Sequence, residues 1–462
     1  MFPQVICYLL PHNLKKNTTR LTESNDIMAT EKLGLKECVS IALGGMIGGG
    51  IFAVLGVVAQ IVEAATWFAF VLAGCVALCA GYSYNKLNSI SKNPGGSVSM
   101  IQCCTGNTRL AGMAGWTLLF GYIGSMAMYA YAFGSYTVGF DIIPDTLLGL
   151  PARPVISIFI VLVFLGLNLM GARSTGTAEN IMVGIKILVL LAFGIGGVWL
   201  GFSQEKISFG LEQTVGFGPI MAAAVSFVAF QGWQLLFYDR ESIKDPDNTI
   251  RKAVYIAIVS SVGIYILVAL TTLSLAPMEV IREDPERALA VAAEPLIPFG
   301  FTIISLAALF STGSAINATL FSSGYLAKGM LSDHLLPDQF GSPKAEGIPN
   351  RTLIILAVIT AAFTAYGSLD AITSFASLAF IIIFGTMSYL AFRQRKRPQF
   401  SSVIPAVGMI GTAAFFVLMF WHLYNAEPET FYSVLIIAAL VITAELLYFE
   451  RDVLKRKIIP LD

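Results

Sequence analysis

Two runs of residues interrupt long apolar stretches with types that can hold a small molecule through the backbone. They are Gly44-Gly45-Met46-Ile47-Gly48-Gly49-Gly50-Ile51-Phe52 and Phe227-Val228-Ala229-Phe230-Gln231-Gly232-Trp233-Gln234. In hydrocarbon, backbone that leaves the helix is tolerated only where it is buried in protein or lines a cavity, so a glycine-interrupted span marks a binding site. Unwinding at the first run would expose the amides that open the next half-helix, whose dipole favours an anion. A carboxylate would then sit on the N–H groups of Gly49, Gly50 and Ile51, with Gly48 in the same break. Carbonyls of Ile47 and of Val228 or Phe230 would accept from an ammonium group, and the two sets together fit the backbone of an α-amino acid. Phe52, Phe230, Gln231, Gly232 and Trp233 would shape the side-chain pocket and its gate.

A plainer reading treats the glycines as a close-packing contact among small residues such as Ala42 and Ala53. Each glycine weakens a helix by about 1 kcal/mol relative to alanine, and five of them between 44 and 50 are more than packing requires. Phe52 and Trp233 read equally well as ordinary core aromatics. Lys186 is the one ionisable residue near the middle of an apolar span. It stands about ten residues inside, roughly 15 Å at the helical rise, too deep to snorkel easily. A lysine there costs about 3 kcal/mol on insertion scales, so it must face a cavity or a partner; the bland alternative is a structural lysine on free carbonyls.

The elements that position these residues follow from composition. Of 462 residues, 56% are hydrophobic and 13% charged, with mean hydropathy +0.74, which defines an all-α polytopic membrane protein. Windows of about 20 apolar residues give roughly twelve spans: 37–62, 66–86, 111–140, 153–171, 177–201, 217–238, 252–275, 298–327, 352–367, 369–392, 402–423 and 430–449. A short re-entrant or surface helix is expected over 94–105. Net charge is zero, yet with the amino tail inside, 24 of the 29 Lys and Arg fall on one side of the membrane. The positive-inside rule therefore places both termini in the cytoplasm of a plasma-membrane protein. The basic clusters are short, juxtamembrane and free of interleaved aromatics, so they speak for lipid headgroups and not for nucleic acid.

No metal site or cofactor is expected. The six cysteines, at 7, 38, 75, 79, 103 and 104, read as small core residues, and no Cys/His spacing resembles a zinc, haem or redox centre. The glycine run lacks the Gly-Lys-Ser/Thr ending of a phosphate-binding loop, which disfavours ATP drive. Paired carboxylates, histidine clusters and activated nucleophiles are missing from the spans, so an enzyme is not expected; a channel or receptor would need a continuous polar pore or a sensor domain. Segment 2–11 is apolar but has no basic region ahead of it, and Met28 is a plausible start, leaving 1–27 as an upstream extension of the amino tail 1–36.

Span one carries the first break and span six the second, so the unit 37–201 is repeated, inverted, by 217–392. Spans eleven and twelve, 402–449, lie outside the repeat as peripheral or oligomer-forming helices, and 450–462 is a cytoplasmic tail. Between Pro277 and Pro298 a charged loop contains Ala288 to Ala293, a short helix expected over the outer mouth.

These residues resemble the amino acid–polyamine–organocation transporters. Gly48-Gly49-Gly50-Ile51-Phe52 is similar to the break in their first span, and Pro94-Gly95-Gly96-Ser97 to the loop after their second. Phe227 to Gln234, then Glu241, Lys244 and Pro246, resembles their sixth span and its exit; Ser314 to Leu320, continuing to Leu336-Pro337, resembles the end of their eighth. Gln234 departs from the pattern, standing where several members carry an acidic residue. The resemblance implies a discontinuous-helix fold and secondary amino acid transport by alternating access, as proton symport or as exchange. It also implies that Lys186 takes the place of a coupling sodium ion, touching span one near Gly44 and Ile47 and span eight near Ser311 or Ser314. The proton is then the coupling ion, an amino acid the substrate and the bilayer the surroundings.

Overall fold

The fold comes from a computed structural model that describes residues 32–91, 96–140, 142–147, 149–170, 176–238, 240–345, 347–426 and 428–458. The upstream segment 1–27 and Pro94-Gly95 of the loop motif lie outside the described residues. In an apolar surrounding a backbone amide finds its partner only within its own segment, and the chain is accordingly almost all helix.

In order these are α1 (Leu35–Ile47), α2 (Gly50–Val62), α3 (Thr66–Ser91), α4 (Gly96–Thr105), α5 (Thr108–Val138), α6 (Ala152–Leu169), α7 (Gly176–Ser203) and α8 (Gly218–Ser226). The second half holds α9 (Pro246–Leu275), α10 (Met278–Glu283), α11 (Ala288–Ala293), α12 (Gly300–Ser332), α13 (Asn350–Tyr366), α14 (Leu369–Arg393), α15 (Val403–Ala426) and α16 (Pro428–Ile458). Asn107 and Ser368 cap α5 and α14, accepting from the amides of Leu110 and Ala371 at 3.2 Å each. Pro219 and Pro246 sit in the first turns of α8 and α9, where a missing N–H breaks no helical bond.

Helices occupy every one of the expected windows, and α4 covers the expected short helix. Among the described residues eight helical stretches are long and apolar enough to cross a membrane on their own, one of them the continuous run Gly50–Ser91. Gly218–Phe230, Asn350–Ala365 and Pro428–Ala439 are apolar but shorter. The first of these is short because the chain leaves the helix inside the span, at the second break.

The long α5 packs on α12, α14 and α6; α3 lies against α9 and α8; α1 sits between α9 and α7. Helices α15 and α16 flank the bundle against α14, and Val407, Ile410, Val417 and Trp421 on α15 are exposed, as for a lipid-facing helix. The cysteines follow the core expectation only in part: Cys38 is buried, whereas Cys75 is exposed on the apolar flank of α3.

The face that carries Leu33 is termed the amino-terminal face and the opposite one the distal face. On the distal face α10 and α11 fold over α2, with five of the six residues of α11 buried. The Gln60 amide donates to the carbonyls of Ile281 at 3.1 Å and Arg282 at 3.3 Å, and Ser135 donates to Glu286 at 2.9 Å. Expected from sequence as a helix over the mouth, this segment is a closed cover. On the amino-terminal face the Leu33 amide donates to the Ser242 carbonyl at 2.8 Å and the Lys244 amide to the Leu33 carbonyl at 2.9 Å. Those bonds tie the entrance of α1 to the segment that follows the second break.

Candidate substrate site

The first break is short. Helix α1 ends at Ile47 and α2 begins at Gly50, with Gly49 between them at φ −140° and ψ −16°. The second break is longer: α8 ends at Ser226, a 3-10 turn covers Phe227–Phe230, Gln231 is extended, and a second 3-10 turn runs Trp233–Phe237. Gly232 joins them at φ +126°, a conformation L side chains rarely adopt. A Cβ at Gly232 would also lie 2.6 Å from the Gly45 carbonyl carbon, so the two breaks meet backbone to backbone. Gly45 thus serves packing, while Gly49 and Gly50 open the half-helix whose first amides lack intrahelical acceptors.

Side chains from four other helices satisfy carbonyls and amides around the breaks. Lys186 on α7 is buried, and its Nζ donates to the Gly44 carbonyl at 3.3 Å. Ser311 on α12 donates to the Ile47 carbonyl at 3.0 Å. Ser314, a residue named with it from sequence, is half-buried one turn further on. The Tyr265 hydroxyl on α9 is shared between the carbonyls of Met46 at 2.8 Å and Ala229 at 2.9 Å, bridging both breaks. Ser377 on α14 donates to the Val225 carbonyl at 2.7 Å and accepts from the Val228 amide at 3.1 Å. The carbonyls expected to accept an ammonium group already have one partner each at two positions: Ile47 from Ser311, and Val228 from the Gln231 amide at 3.3 Å. Each retains a second lone pair.

Tyr265→Phe removes one hydroxyl that serves two buried carbonyls. A lost buried partner costs about 1–3 kcal/mol, so the variant should unfold at a lower temperature and transport poorly. Unchanged melting and transport would show that the bridge between the breaks is dispensable.

Over the first break lies Tyr129 of α5. A Cβ built on Gly49 would come 2.1 Å from its ring, so in this closed form the ring packs directly on Gly49, one of the residues whose amides are expected to meet a carboxylate. Its hydroxyl accepts from Gln231 Nε2 at 2.5 Å. Gln234 Nε2 donates to Gln231 Oε1 and to the Tyr122 hydroxyl, both at 3.3 Å, while Gln234 Oε1 accepts from the Gly232 amide at 2.7 Å. The two glutamines are buried in a hydrogen-bonded neutral network, which accommodates an amide at position 234.

The aromatic positions divide. Phe52 packs edge-on against Tyr136 on the distal side of the break, and Phe230 against Phe70 and Tyr265 beside it. Trp233 is wholly buried on the amino-terminal side among Tyr84, Phe237 and Phe384. In the closed form these rings do what core aromatics do, and the same clusters fill the space on either side of the breaks. Ile47, Ile51, Phe52, Val228, Phe230 and Trp233 are all at 0% exposure, so the site is shut from both faces.

Tyr129, Tyr265, Tyr122 and Ser377 escape a sequence reading centred on the breaks. A tyrosine or serine within an apolar span is common; a polar tip that must find a partner at membrane depth was the available signal.

A helical bundle in which two broken spans meet backbone to backbone is the arrangement of a membrane transporter. Solved structures agree on the fold. A manganese transporter of Eremococcus coleocola, in complex with an aromatic bis-isothiourea substituted compound, superposes with TM-score 0.57 over 91% of this chain and 94% of its own, at 11% identity. The chain belongs to the amino acid permease family, whose profile matches residues 33–444. It is 31% identical over 401 residues to the inner membrane transport protein YbaT of Escherichia coli, covering 84% of this chain and 89% of that one. An uncharacterized protein of Methanocaldococcus jannaschii, MJ0609, is 29% identical over 436 residues, covering 93% and 97%. The methylthioribose transporter of Bacillus subtilis is 25% identical over 441 residues, covering 90% and 93%.

Proposed function

We propose that this permease carries α-amino acids across the plasma membrane by alternating access, coupled to protons and independent of sodium. The observation that carries the reading is the Lys186 ammonium on the Gly44 carbonyl, about one and a half helical turns before the amides of Gly49 and Gly50. A fixed cation there supplies the charge that a coupling ion would otherwise supply at the first break. The coupling proton is assigned to this group because its side chain reaches the first break itself.

The substrate carboxylate takes the amides of Gly49, Gly50 and Ile51 once the Tyr129 ring swings aside. Its ammonium group takes the remaining lone pairs at Ile47 and at Val228 or Phe230. Gln231, Gly232 and Phe52 line the side-chain pocket, and Trp233 gates the amino-terminal face. That face is the cytoplasmic one, by its excess of basic residues. The two inverted repeats span 37–201 and 217–392, with 402–449 as accessory helices.

The test is counterflow of labelled amino acids in proteoliposomes. The panel includes methylthioribose, since one relative at 25% identity carries that name. Accumulation of at least one α-amino acid is expected; a folded protein that moves none of them, or moves only the thio-sugar, overturns the reading.

A further inference from the structure

Away from both breaks, three elements converge on the amino-terminal face. Gly81 of α3 packs on α9, where an added Cβ would lie 3.0 Å from Val254, and Gly408 of α15 packs on α3, where it would lie 3.0 Å from the Cys79 Cβ. The segment joining α14 to α15 folds onto the same end of α3: the Ser401 amide donates to the Tyr82 hydroxyl at 2.6 Å. Lys86, one turn beyond Tyr82, holds its Nζ 5.6 Å from the centroid of that ring. The second turn of α9 adds Arg251 and Lys252, and the joining segment adds Arg395, Lys396 and Arg397, all five exposed.

These six cations enter no ion pair among the described residues. Arg251 donates to Asn248 Oδ1 at 2.8 Å and Arg395 lies over the Phe392 ring at 4.3 Å, contacts that leave both charges uncompensated. Asp247, on the same end of α9, is taken by Arg240 at 2.8 Å, and the stretch 393–403 contains no acid. Like charges gathered at one end of the bundle repel one another, so an anion that bridges them is favoured.

The surface leading away from the cluster is apolar. On α3, Cys75, Cys79, Tyr82 and Lys86 follow at steps of four, three and four, hence along one face, and Cys75 is exposed. Eleven residues separate Lys86 from Cys75, about 16 Å at the helical rise, close to half of a hydrocarbon core of about 30 Å. Val259 of α9 and Val407 and Ile410 of α15, on the flanking helices, are exposed. Small thiols between branched side chains suit an acyl chain whose headgroup lies at Lys86. A soluble anion would use the charges and leave the apolar face unused; a zwitterionic headgroup would bring an ammonium group against the cations.

From this placement we infer that Lys86, Arg251, Lys252 and Arg395 to Arg397 bind the headgroup of an acidic phospholipid in the leaflet on the amino-terminal side. One acyl chain runs along α3 between α9 and α15. The bound lipid ties the α14–α15 connection to α3 and α9, and the claim is independent of what the central site carries.

The experiment is titration of the full-length protein in detergent micelles with phosphatidylglycerol, with bound lipid read by native mass spectrometry. Phosphatidylcholine of the same acyl chains is the comparison lipid, and glycerol 3-phosphate the soluble competitor. Saturable binding of phosphatidylglycerol is expected, about tenfold or more tighter than phosphatidylcholine and undisturbed by equimolar glycerol 3-phosphate. The combined variant Lys86→Gln, Arg395→Gln, Arg397→Gln should weaken phosphatidylglycerol about tenfold or more, because each basic residue near the surface adds to the attraction, and leave phosphatidylcholine unchanged. Arg282→Gln on the distal face should bind as the parent does. Equal affinity for the two lipids, parent-like binding in the folded combined variant, or an equal loss in Arg282→Gln each overturns the assignment. Displacement by equimolar glycerol 3-phosphate overturns it too, in favour of a soluble anion. Thermal unfolding shows whether the combined variant is folded; if it is not, Arg397→Gln alone, exposed and outside any helix, decides in its place by the same loss.

Discussion

Replacing Lys186 with alanine should lower proton-driven uptake by about tenfold or more, within the 5–150-fold range of ordinary coupling energies, while substrate binding changes little. The ammonium group reaches the Gly44 carbonyl at 3.3 Å, whereas the amides expected to hold substrate begin at Gly49. Removing it strips the first break of a positive charge and leaves the buried Gly44 carbonyl short of a donor, a loss of about 1–3 kcal/mol in stability. Stability and coupling are therefore lowered together, and a second variant has to separate them. Lys186→Met keeps the length and apolar stem of the side chain but carries no charge, so it should pack almost as the parent does and still fail to respond to a proton gradient. The measurement is uptake in proteoliposomes with sodium and proton gradients imposed independently. Strict sodium dependence in the parent, or a parent-like proton response in Lys186→Met, returns the lysine to a purely structural role.

Sequence made the breaks legible because glycine runs at membrane depth have few physical explanations. Gly48 to Phe52 and Phe227 to Gln234 are where the helices stop, and Lys186 does reach the first of them. The length of each break was not legible. At the first only Gly48 and Gly49 lie between α1 and α2, whereas at the second an extended Gln231 and a positive-φ Gly232 separate two 3-10 turns. The residues that hold the breaks were hidden for a different reason. Tyr129, Tyr265 and Ser377 are more than 30 residues from the segments they bond, or lie in helices whose facing is set only by packing. One sequence carries no signal for which side of an apolar helix a tyrosine takes.

A carboxyl-amidated substrate should bind the parent protein roughly a hundredfold more weakly than the free amino acid. The estimate takes about 3 kcal/mol for exchanging charge-assisted bonds at the start of α2 for neutral ones, one of which points an NH2 at backbone donors. Valine at Gly49 or Gly50 should also abolish binding, but the structure changes how such variants are read. At Gly49 the new Cβ would fall 2.1 Å from the Tyr129 ring, and at Gly50 it would fall 2.8 Å from the Ala229 Cα. The first clash can be relieved by moving a side chain; the second presses on the backbone of the other broken helix. Gly50→Val should therefore unfold at a lower temperature as well as lose ligand, and Gly49→Val should lose ligand with the smaller thermal cost. The amidated compound leaves the protein untouched, so it isolates the carboxylate. Competition against a labelled substrate, with the free acid and the amide titrated side by side, gives the ratio directly. Equal affinities would mean that the amides of Gly49, Gly50 and Ile51 do not hold the carboxylate, and the glycines would then be explained by the packing of Tyr129, Ala229 and Gly232 against the break.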